Sequence, residues 1–93
     1  MSEHTVRVDS LPEEIVTLLR AVHDALDIPS PGLTEEDERA HALLLEQRVT
    51  DARIVLACLL HKGHEVGPAA ESLRAWTAER PVTYAPWAGG GVA

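Results

Sequence analysis

Between residues 11 and 26 the apolar positions Leu11, Ile15, Leu18, Val22 and Leu26 recur at steps of four, three, four and four. That spacing puts them on one stripe of an α-helix, with Glu13, Thr17, Arg20 and Asp24 on the other side. Ser10, with Glu13 three residues on, reads as a capping box, and Pro12 is tolerated in a first turn. The pattern predicts a helix over 11–27. "PSPG" at 29–32 then breaks the chain, because neither proline continues a helix.

A second helix is predicted over 35–62. Thr34 is its candidate N-cap, and no Gly or Pro intervenes before Gly63. At 1.5 Å per residue it would run roughly 42 Å, longer than a compact domain of this size needs. Ala42, Leu45, Val49, Ala52, Leu56 and Leu59 step by three and four like a heptad seam. Ile54 to Leu60 are apolar at every position, which predicts a segment surrounded by the other helices. Thr50-Asp51 is the point where such a helix would break.

The third helix is predicted over 66–79. Pro68 lies in its first turn, and Val66, Ala69 or Ala70, Leu73 and Trp76 form its apolar face. Pro81 ends it. The expected fold is all-α: a three-helix domain over 10–80 with a long central second helix. An N-terminal arm (1–9) and an extended aromatic tail (81–93) flank it, the tail ending in a disordered "GGG" stretch at 89–91. "TVRV" at 5–8 and "PVTY" at 81–84 both alternate and are candidates for a short ladder joining the termini.

Composition narrows the partners. The chain has 93 residues, no Phe, one Tyr and two Trp, so its core must be built from Leu, Val, Ile and Ala. A long helix with an apolar seam needs more partner surface than two shorter helices offer, so a dimeric helical bundle is expected. The single Cys excludes an intramolecular disulfide and suits a reducing compartment. The first ten residues lack the basic and apolar regions of a signal peptide, and no run approaches the ~18 apolar residues of a membrane span. A cytoplasmic protein without membrane contact is expected. The net charge of −7 would repel nucleic acid, and the densest acidic run, Glu35 to Glu38, is explained by the helix macrodipole.

"CLLHKGHEVG" at 58–67 is the one chemically pointed stretch. Cys58 and His61 share a helical face, and His64 follows at the turn, so these three are the candidates for a metal. A structural zinc site wants four ligands, however, and every residue has an account without one. Cys58 continues an apolar run, His61 and Lys62 complement the helix C-terminus, and Gly63 suits a left-handed stop. No metal and no cofactor are expected. Cys58 within "VLACLL" would be desolvated and inert, and no phosphate loop is present, so no enzyme is expected.

The 54–79 segment has the outline of a helix-turn-helix, which makes a DNA-binding regulator the alternative function. Glu65, Glu71, Ser72, Arg74 and Glu79 are its expected exposed positions, a poor set for a major groove. An acidic DNA mimic suits the charge better but lacks a dense row of carboxylates. Tyr84, Pro86 and Trp87 form a Pro-stiffened aromatic segment, which reads either as Trp87 folding back over the helices or as a partner-docking peptide. The reading favoured by the sequence is a small acidic adaptor or regulatory module. It would pair with itself as a homodimer through helix two and bind an unidentified protein.

Overall fold

The computed structural model describes residues 6–88. A 3₁₀ turn (Val8–Ser10) precedes three α-helices, α1 (Glu13–Leu26), α2 (Glu35–Lys62) and α3 (Val66–Glu79), and the described residues contain no strand. The class is all-α, with α2 twice the length of its neighbours. Among the described residues no helix is long and apolar enough to cross a membrane. The "GGG" expectation at 89–91 lies outside the described residues, as does Thr5 of the expected N-terminal strand.

Helix α1 starts later than the capping-box reading expected. Leu11 precedes a proline and is therefore held extended, at φ −88° and ψ 157°. Pro12 becomes the N-cap, and its carbonyl accepts from the Ile15 and Val16 amides at 3.0 and 3.1 Å. Ser10 instead donates its hydroxyl to the Arg7 carbonyl at 2.7 Å and closes the 3₁₀ turn.

Helix α2 begins as its sequence suggests. Thr34 Oγ1 accepts from the Asp37 amide at 3.0 Å, satisfying one of the orphan donors of the first turn. The helix runs through Thr50-Asp51 without a break. It stops at Gly63, whose φ of +69° is left-handed and whose amide donates to the Cys58 carbonyl, as does that of His64. Lys62 and His61 occupy the last turn, where the macrodipole favours positive charge.

The core is small and rich in alanine. Leu18, Ala21 and Ala25 of α1 meet Ala69, Ala70 and Leu73 of α3 and Ala52 and Val55 of α2, with Val22, Leu59, Val66 and Trp76 at its margin. Alanine faces let helix axes approach closely, and α1 packs more extensively on α3 than either packs on α2. This rotates α1 away from its sequence stripe: Ala21 and Ala25 take the buried line, while Leu26 is left exposed on the flank.

The expectation that Ile54–Leu60 is surrounded fails for the same reason. The two short helices spend their faces mainly on each other, and they cover only one side of α2. Val55 is buried, but Ile54, Leu56 and Leu60 remain 44%, 37% and 77% exposed.

Among the described residues the expected ladder between the termini does not form either. The tail pairs with the α1–α2 linker through an antiparallel bridge between Pro31 and Pro86. Gly32 N donates to the Ala85 carbonyl at 2.8 Å and Trp87 N to that of Ser30 at 2.7 Å. The prolines face each other at a non-hydrogen-bonded pair, the one register in which their missing N–H groups cost nothing. The resulting molecule is thin, 49 × 34 × 19 Å across its Cα positions. Its radius of gyration, 16.5 Å, exceeds the roughly 12 Å of a compact domain of this length.

Candidate interaction surface

The uncovered side of α2 forms one wall and floor of an open apolar groove of about 450 Å³. Val49, Ala52, Leu56 and Leu60 line it from α2, and Val22 and Leu26 close it from α1. Arg53 and His61 stand at its edge. An apolar floor with a polar rim is common to protein interfaces and to ligand-binding grooves.

The seam read from the sequence is therefore divided between two surfaces. Ala52 is buried in the core and Leu59 packs against it, whereas Ala42, Leu45, Val49 and Leu56 face outward. The three-and-four stepping registered a real stripe but straddled the boundary of two adjacent ones. Leu44, Arg48, Asp51, Ala52 and Val55 form the inward stripe, and an arginine and an aspartate at its centre hid it from an apolar count.

Arg48 is the residue that holds the scaffold behind the groove. Its side chain crosses from α2 to the C-terminal ends of both other helices. Nη1 donates to the carbonyls of Ala25 at 2.9 Å and Asp24 at 3.3 Å in the last turn of α1. Nη2 and Nε donate to the carbonyl of Arg80, the C-cap of α3, at 2.8 and 3.3 Å. These carbonyls are orphan acceptors at the negative ends of two helix dipoles, so one buried cation serves both. Arg80 in turn lies 3.7 Å from the Asp51 carboxylate. Asp51 Oδ2 and Thr77 Oγ1 are buried without a hydrogen-bond partner among the described residues. Sequence reading had no means of finding this arrangement, since a lone Arg on an amphipathic helix reads as solvated.

The aromatic tail is anchored by Tyr84, not by Trp87. Tyr84 is 6% exposed, meets His41 edge to face at 5.5 Å, and donates its hydroxyl to the Pro29 carbonyl. Burial pushes its phenol above the ordinary value, while the nearby Arg48 charge pulls against that shift. The Ala85 amide donates to Asp37 Oδ1 at 3.3 Å, tying the tail to the first turn of α2. Trp87 stays 49% exposed, and Pro86 is also exposed.

The remaining candidates are scattered. Cys58 is partly buried, His61 stands at the groove, and His64 lines a separate recess with Gly63, Glu65 and Pro68. Among the described residues no three His, Cys, Asp or Glu side chains gather to hold a metal ion. Glu65, the N-cap of α3, and Glu71, Ser72, Arg74 and Glu79 along it are exposed. At the end of α1, His23 is held above its ordinary pKa by a hydrogen bond to Asp24 and then by the charge of Asp27. Comparison of the chain with protein-family models, with curated proteins and with solved structures found no match.

Proposed function

We propose that this chain is a non-enzymatic helical interaction module that self-associates through the uncovered face of α2 and acts as an adaptor or regulatory partner. The observation that carries the reading is the groove of Val22, Leu26, Val49, Leu56 and Leu60, apolar at its floor and open to solvent. A helix segment apolar on every side, with only one side covered, leaves unburied surface that association removes from water. Each such side chain is worth on the order of 1 kcal/mol, because it is already partly covered before docking.

The test is the mass in solution. At tens of micromolar, light scattering on the full chain should report a dimer. Val49 is 46% exposed, so Val49→Glu leaves the monomer fold nearly untouched while placing a charge on the groove floor. That variant should run as a monomer with unchanged helical circular dichroism. A monomeric wild type at that concentration sinks the proposal.

A further inference from the structure

Resting on that self-association, a second question is how the two copies lie. Along α2 the exposed side chains Val49, Leu56 and Leu60 line the groove and Leu45 lies one turn before Val49 on the same helical face, so the four stand at steps of four, seven and four. The series is symmetric about the point between Ala52 and Arg53. A two-fold axis perpendicular to α2 at that point sets Leu45 against Leu60 of a second copy and Val49 against its Leu56. Ala52, a small residue on the groove floor, and Arg53, at the groove's edge, flank that point. An isologous contact requires a surface complementary to itself in this way.

Charge along the same helix is ordered end to end. The first half carries Glu35, Glu36, Asp37, Glu38 and Glu46 against Arg39, His41 and the buried Arg48, whereas the second carries Arg53, His61 and Lys62 with only the buried Asp51 opposing them. Glu38 lies seven residues before Leu45, on the same helical face. A parallel pair would stack four acids on four acids and align the two macrodipoles. An antiparallel pair carries the acidic first turn of each copy toward the basic end of the other.

We infer that two copies dock antiparallel along α2, Leu45 to Leu60 and Val49 to Leu56, about a two-fold axis beside Ala52. The stripe from Leu45 to Leu60 spans about 22 Å, enough to seat the contact. The thin dimension of the monomer, 19 Å, is what one half of a larger bundle would show.

Spin-label distances decide the orientation. Glu36 and Lys62 are exposed, and Glu36 points away from the groove by helical spacing. Each is changed to Cys in a chain where Cys58→Ala removes the native thiol. With two copies labelled at position 36, the antiparallel pair predicts a separation of about 50 Å. Mixing chains labelled at 36 with chains labelled at 62 should give a short distance, under about 25 Å. Short 36-to-36 and long mixed distances would overturn the orientation and leave the dimer standing. A monomer by light scattering would instead remove the self-association itself.

A second variant keeps Cys58. Glu35→Lys with Glu38→Lys should weaken an antiparallel dimer several-fold at low salt, with the effect shrinking as salt is added. Tighter association of that variant would overturn the antiparallel arrangement.

Discussion

Arg48 of α2 donates through Nη2 to the backbone carbonyl of Arg80 at 2.8 Å, a hydrogen bond across 32 residues of sequence. The same guanidinium reaches the last turn of α1, so a single side chain fixes the relative placement of all three helices.

Removing it should be costly out of proportion to its size. Arg48→Ala leaves the carbonyls of Ala25 and Arg80 without this donor and should destabilise the fold by about 3 kcal/mol. Arg48→Lys restores the charge but not the planar fork, and should recover only part of the loss. Urea unfolding followed by circular dichroism measures both. A loss below about 0.5 kcal/mol for the alanine variant would show that the contacts to the helix ends carry no weight.

The two tail aromatics should behave oppositely. Tyr84→Phe loses the bond to the Pro29 carbonyl and should cost about 1 kcal/mol, whereas Trp87→Ala, at a half-exposed position, should fall within about 0.5 kcal/mol of wild type. If Trp87→Ala proves the worse of the two, the tail is held by its tip.

Tyr84 also sets an alkaline limit. Its folded pKa is raised, so the protonated phenol is the form the fold favours. The associated stability is fully present below the ordinary value of 10 and is lost as pH rises through the folded value. Phenolate absorbance should appear at higher pH in the native chain than in urea, and the Phe variant should lack this part of the alkaline loss.

His23 works on the neutral side. Its folded pKa lies above 6.5, chiefly through the bond to Asp24, so its contribution is complete below 6.5 and fades as pH rises through the folded value. An NMR titration should place its midpoint above 6.5. Asp24→Asn should lower that midpoint while the Asp27 charge keeps some of the shift.

Periodicity reveals apolar stripes, not what covers them. Thr34, Gly63 and the unbroken run between them mark the ends of α2 because capping and left-handed stops are local chemistry. The groove was only half legible: Val49 and Leu56 stand out as a seam, but Val22 and Leu26 belong to another helix, and their meeting depends on α1 choosing α3. That choice was made by alanines, which a count of large apolar residues passes over. The Arg48 clamp and the bridge at Pro31 and Pro86 join segments distant in sequence, and no pattern within either segment announces its partner.

The preference of α1 for α3 also has a consequence in time. Residues 13–26 and 66–79 form the tightest contact, with the whole of α2 between them, so a chain emerging from a ribosome cannot close its core until the last helix is free. Until then α2 carries both its stripes uncovered. A nascent chain halted before residue 66 would present the apolar surface of two interfaces at once, which makes the final third of the sequence the part that renders the first two thirds safe.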